Sequence, residues 1–249
     1  TQSGGTNYYT NGPDIPYVSW TFRKAEKFFD VVTYTGSGSA KTVAHSLGTT
    51  VGMIMVKNLG EYDNWAVYHR ANGSDPETDY LILNSTTETA DNAAWWNDTA
   101  PTSSVFTVGT DHAVNANGEN YVAYLFAHND SGDGKFGPDG DQDIISCGGY
   151  TGAHSTNVAV NLGWEPQFVL LKNTTDTSDD SVKCAWNLMD TMRGLDATGV
   201  AYRLAANSNA VEGGMGTIVL TSTGFSVESP NTNDNGDTHI YMAIRAPMI

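Results

Sequence analysis

A chain of 249 residues can bury one large core, or two of roughly 100 to 150 residues each, and needs no staples to fold. Its 12 Lys and Arg stand against 28 Asp and Glu, and the formal charge of -16 repels phosphate backbones and anionic lipid surfaces alike. Nucleic acid is therefore not an expected partner, and no apolar run approaches the roughly 18 residues of a membrane-spanning helix, so membrane insertion is not expected either.

The first patterned stretch is PYVSWTFRKA, residues 16 to 25, whose wording returns twice further on. VGMIMVKN (51 to 58), TDYLILN (78 to 84) and VFTVGT (105 to 110) are short, apolar or alternating, and bounded by Gly, Asn or Asp, which predicts strands. Between them ADNAAWWND (90 to 98) has room for a helical turn. Asn117-Gly118 favours a tight turn with positive φ angles and feeds YVAYLFA (121 to 127). Both alternating faces of that run are apolar, which predicts a strand covered on both sides. The acidic stretch NDSGDGKFGPDGDQD (129 to 143) follows, then PQFVLLKN (166 to 173) as a strand. NLMDTMRGLD (187 to 196) is expected to be briefly helical, GTIVLT (216 to 221) and GFSVES (224 to 229) to be strands. Asn235-Gly236 then leads into a last run from Tyr241.

The elements repeat. Tyr34-Thr35-Gly36 returns as Tyr150-Thr151-Gly152, Lys57-Asn58 as Lys172-Asn173, Phe106-Thr107-Val108 as Phe225-Ser226-Val227, and Tyr121-Val122-Ala123 as Tyr241-Met242-Ala243. A shared order of landmarks at a nearly constant offset marks a tandem repeat. The expected fold is all-β: two tandem, jelly-roll-like β-sandwich repeats of about 100 to 120 residues, preceded by the closing strand of an earlier repeat. The corresponding boundaries are 1–27 for the end of the preceding repeat and a linker, 28–128 for the first sandwich, 129–142 for the acidic linker and 143–249 for the second sandwich.

The ordered segments FFDVVTYTG, HSLG, DNWAVYHR, WWNDTAPTSSVFTVG, VNANGENYVAYLFAH, FGPDGDQDIISCGGYTG, DTMRG and YMAIRAP resemble a repeat-bearing family of bacteriophage tail-fibre and virion structural proteins, in particular those of marine and cyanobacterial phages. The resemblance runs from about Tyr17 to Pro247 and rests on packing and turn residues rather than a catalytic signature. It implies a non-enzymatic component of a virion appendage, located in the extracellular particle and touching other virion proteins. By fibre analogy it implies a homo-oligomer, with a trimer as the guess.

Site candidates are read from the residues themselves. TGSGSAKT (35 to 42) lacks the Gly that a phosphate loop places before its Lys, and it sits among strands. His45-Ser46 and His69-Arg70 have no nucleophile elbow, so structural histidines are expected. The 28 acidic residues allow carboxylate pairs, which keeps a polysaccharide depolymerase as a third reading. Asp130, Asp133, Asp139, Asp141 and Asp143 fit a solvated acidic linker first and a calcium loop that stiffens the joint second. Trp65, Trp96 and Trp186 are expected as core or interface residues ahead of ligand contacts. The alternative function is a carbohydrate-binding module for host surface glycans, which would use exposed aromatics with neighbouring Asn and Asp. Cys147 and Cys184 are expected to be buried thiols or one lone pair.

Overall fold

The computed structural model describes residues 17–246, apart from 131, 200, 217, 229 and 230. The greater part of the expected preceding repeat, residues 1–16, lies outside the described residues.

The first half comprises β1 (Phe29–Thr35), β2 (Lys41–Ala44), β3 (Val51–Asn58), β4 (Trp65–His69), β5 (Asp79–Ile82), β6 (Ala90–Asp91), the one-turn helix α1 (Ala93–Trp96), β7 (Val105–Val108), the one-turn helix α2 (His112–Asn115) and β8 (Asn120–Ala127). The second half comprises β9 (Ile145–Thr151), β10 (Val158–Asn161), β11 (Pro166–Asn173), β12 (Asn187–Asp190), a 3₁₀ turn (Thr191–Arg193), β13 (Ala201–Ala205), β14 (Gly213–Gly216), β15 (Ile218–Thr221), β16 (Gly224–Val227) and β17 (Thr238–Arg245). The fold is all-β.

Local chemistry sets the strand ends. After the Lys-Asn that closes β3, the Asn58 side-chain oxygen accepts from the backbone N–H groups of Gly60 and Glu61. After the Lys-Asn that closes β11, Asn173 does the same for Thr175 and Asp176. An asparagine that bonds backbone two and three residues ahead offers the chain a turn in place of the ladder. The stretch 187–196 departs from expectation. Its first four residues are β12 and only the next three form the 3₁₀ turn, because Leu188 and Met189 pack into opposite layers and a central strand is the geometry that alternates them.

Each half builds one large antiparallel sheet in the same spatial order: β1-β8-β3-β4-β5-β6 and β9-β17-β11-β12-β13-β14. Each also builds a small one, β2-β7 and β10-β16-β15. The last strand lies between the first and third, a Greek-key wrap of the jelly-roll kind. Tyr34 and Tyr121 stack on one another, and Tyr34 meets Phe106 of the small sheet edge-on at 6.1 Å. Tyr241 meets Phe225 in the same way at 5.5 Å. The opposite faces of the two large sheets turn toward each other, so that Phe168, Leu170, Trp186, Met242 and Ile244 join the core of the first half. The layers therefore run two-stranded sheet, first large sheet, second large sheet, three-stranded sheet.

The cross-strand register corrects one detail of the repeat. Tyr34 pairs with Tyr121, whereas Tyr150 pairs with His239, not Tyr241. Tyr121 thus corresponds to His239, and Tyr-x-Ala at 241 to 243 is a look-alike two residues further along. A two-residue slip leaves every side chain on its original face, so the apolar pattern alone does not detect it.

The segment between the halves is folded rather than slack. Asn129 is buried; its amide donates to the Lys27 carbonyl at 2.8 Å and its oxygen accepts from Ile144 and Ile145. Lys27 donates to the Asp133 carbonyl and Phe136 packs edge-on against Phe28. Residues 17–24, expected to be the closing strand of an earlier repeat, join neither large sheet; Trp20 and Phe22 instead insert their rings beside Phe168.

In both halves a glycine ends the first strand and exchanges backbone bonds with the turn before the last: Gly36 with Glu119 and Gly118, Gly152 with Asp237 and Gly236. A Cβ at either position would fall on a backbone oxygen, of Ala116 or of Asp234. Gly36→Ala and Gly152→Ala are each expected to destabilise the fold by about 1 to 3 kcal/mol in denaturant unfolding. A change below about 0.5 kcal/mol at both sites would refute the tight approach.

Candidate functional site

The joint between the large sheets is where the halves spend their polar contacts. His69, fully buried at the end of β4, places Nε2 3.1 Å from the Tyr241 carbonyl, while its Nδ1 accepts from Ala71 N–H at 3.2 Å. Those two bonds fix the neutral tautomer with hydrogen on Nε2. Next to it the Arg70 guanidinium donates to the Cys147 carbonyl, and His128 Nδ1 accepts from Cys147 N–H at 3.2 Å. Burial pushes the His69 imidazole down to about 3, and burial together with Arg70 lowers that of His128 against the pull of Asp130, Asp133 and Asp143. At the other end of the joint Lys172, wholly buried, donates to the carbonyls of Thr86 and Cys184 across the two halves. Burial brings its ammonium down to about 8. Cys147 and Cys184 are both buried free thiols, so the expectation of a lone pair gives way to that of separate thiols.

The three tryptophans separate. Trp186 is buried between the halves and donates Nε1–H to the Ile82 carbonyl at 2.8 Å. Trp96 is buried on the small-sheet side, edge-on to Tyr68, where α1 covers β4 and β5. Trp65 is half-buried and stacks on Tyr124. It lines a slot of about 510 Å³ between the two large sheets. The slot walls are Val31, Met55 and Tyr124 on one side and Leu170, Leu188 and Met242 on the other, and Trp20 and Phe22 close one end. Sequence reasoning found Trp65 but not the slot, because facing of the two large sheets is a long-range arrangement with no local signal.

The linker aspartates serve the loop itself. Asp143 accepts from Gly132 and Gly134 N–H, and Asp133 accepts from Asp130 N–H and the Thr49 hydroxyl. Asp130, Asp139 and Asp141 are exposed. The acidic side chains that do converge among the described residues are Asp176, Asp234 and Asp237, at the end of the second large sheet. Lys183 pairs with Asp234 at 2.5 Å and Asn173 donates to Asp237 at 2.8 Å. That group is read as a network tied by protein cations and amides.

A family model described as a domain of unknown function, DUF7483, matches residues 2–246. The chain belongs to that family. No curated protein and no solved structure matches it. The matched stretch spans both halves and the linker.

Two outcomes test the joint. Trp186→Phe is expected to cost about 1 kcal/mol for the lost bond to Ile82, and Trp186→Ala about 3 to 5 kcal/mol, in chemical denaturation. Because His69 and His128 ordinarily titrate near 6.5 and are held lower when folded, the unfolded chain binds more protons below that value. Stability is thus complete above about pH 6.5 and declines as the pH falls toward the folded values. His69→Gln should flatten the decline between about pH 6.5 and 4.5; an unchanged slope would remove His69 as its source.

Proposed function

We propose that this chain is a non-enzymatic structural component of a phage virion, a tail fibre or other surface appendage built from tandem β-sandwich modules and assembled as a homo-oligomer beside other virion proteins. The carrying observation is that two sandwiches whose large sheets have the same strand order are joined face to face through buried side chains. A rigid pair suits a load-bearing building block better than a hinged one. His69, His128 and the buried Lys172 are engaged in holding the joint. The sequence resemblance to virion appendage proteins supplies the setting.

A second reading, recognition of host surface glycans, is favoured by one feature. Tyr62 is fully exposed beside exposed Leu59, on the turn that carries Glu61 and Asp63. An open ring flanked by carboxylates can stack on a sugar and bind its hydroxyls.

Light scattering of the protein, with and without a calcium chelator, tests the assembly. A stable particle of three times the 26.7 kDa chain mass is expected. A monomer at micromolar concentration would overturn the assembly, and loss of the oligomer on chelation would show that a metal ion holds it, with the linker aspartates and the group Asp176, Asp234 and Asp237 as the two places to test by substitution. Antibody against the chain should decorate the appendages of purified particles in electron micrographs; absence of label from intact particles would overturn the virion placement.

A further inference from the structure

The slot between the large sheets has a chemistry that the structural role does not use. Its walls are carbon and sulfur surfaces, and Val31, Met55, Trp65, Tyr124 and Leu188 remain half-buried along it. Apolar walls that do not touch forgo dispersion contacts, and an apolar chain laid between them restores those contacts. The volume of about 510 Å³ lies within the roughly 300 to 1,000 Å³ of small-molecule sites. One end is shut by Trp20 and Phe22, the first of which is pinned by a bond from its Nε1 to Asp190 at 2.9 Å.

A charge stands on the same face. Lys57 lies two residues beyond Met55 on β3, opposite Trp65 on β4 and Val122 on β8, and strand alternation puts it on the slot side of the sheet. It is half-buried, and its ammonium donates to two neutral groups, the backbone carbonyls of Asn58 and Glu61. Among the described residues no carboxylate forms an ion pair with it, in a chain whose formal charge is -16. Lys57 lies just outside the slot, in a recess of the 57–63 turn that also holds Glu61 and Asp63, and its cross-strand neighbour Trp65 is the nearest slot wall. A cation at that mouth, ion-paired with neither carboxylate, is complementary to an apolar tail with an anionic head.

We propose that this slot binds a single-chain amphiphile of the fatty-acid class, its tail between the two large sheets and its carboxylate at Lys57. The acidic surface repels an anionic bilayer, so the source is a free molecule rather than a membrane. The polar groups on the lining residues are the Thr21 and Tyr124 hydroxyls and the indole N–H groups of Trp20 and Trp65, the first indole being engaged by Asp190, and the remainder of the walls suits an unsubstituted hydrocarbon tail. The proposal adds a ligand to the protein and does not depend on the virion reading.

Calorimetric titration with hexadecanoate below its micelle concentration, and with hexadecyltrimethylammonium as a cationic match, tests it on the intact protein. One hexadecanoate per chain is expected, bound in preference to the cation, and Lys57→Glu should reverse that preference. Leu188→Trp, which fills the slot from the second sheet, should weaken hexadecanoate by about tenfold or more without lowering the unfolding midpoint. Should that variant fold poorly, Met55→Trp fills the slot from the opposite wall. Absence of saturable binding, or unchanged affinity in a folded slot-filling variant, overturns the site. Equal affinity of the unmodified protein for the two amphiphiles overturns the role of Lys57.

Discussion

The architecture depends on two strands being buried on both faces. β8 shows Tyr121, Ala123 and Leu125 to the small sheet of its own half, and turns Phe126 with Tyr124 toward the other half. β17 divides its side chains likewise, with Tyr241 and Ala243 in one core and Ile240, Met242 and Ile244 in the other. A strand that is apolar on both faces is stable only where two layers cover it. A lone two-layer sandwich provides one layer, so the second must come from a neighbour. Here the neighbour is the other half, and the four-layer stack follows from that one requirement.

The polar contacts then register the two halves. Burial of apolar area is non-directional and would tolerate sliding of one sheet on the other. The bonds from His69 to Tyr241, Trp186 to Ile82 and Lys172 to Thr86 are directional; breaking either of the first two leaves a buried ring N–H unpaired, and breaking the third leaves the buried Lys172 ammonium with the Cys184 carbonyl alone. Gly52 supports the same end of the joint, because a side chain there would collide with Cys147. The packing is less complete where the slot opens, and there the leading segment adds aromatic rings from outside both sheets.

Much of the fold was legible because it is written twice. Alternating runs between Gly, Asn and Asp marked β3, β11, β7 and β16, and the double-faced wording of residues 121 to 127 marked β8 as internal. What escaped has physical reasons. The period of two hides a two-residue slip, so His239 was not seen as the partner of Tyr121 in the repeat. Residues 187 to 190 look helical in composition, but tertiary pairing with β11 made them a strand. The acidic linker looks slack in sequence because nothing local announces that Asn129 will clamp Lys27 and Ile144. Of the candidate site residues, the tryptophans were legible as packing residues, whereas the convergence of Asp176, Asp234 and Asp237 needs two loops, after β11 and before β17, brought together in space.

The exchange of Tyr121 for His239 shows how one architecture supports two local chemistries. In the first half the Tyr121 hydroxyl is a hub: it accepts from Ala116 N–H and Asn58 and donates to the His112 carbonyl. A buried imidazole stacked on Tyr150 stands there in the second half, and it lacks a hydroxyl at that reach. Asn173, the counterpart of Asn58, turns its amide to Asp237, and Asp234 takes Lys183 as its partner. A neutral hub has become an ionic one on the same backbone. Ionic contacts at a partly exposed edge are screened by salt, whereas the bonds to a buried phenol are not. The two halves therefore share a frame but hold the turn before the last strand differently, through a buried phenol in the first and through an ion pair in the second.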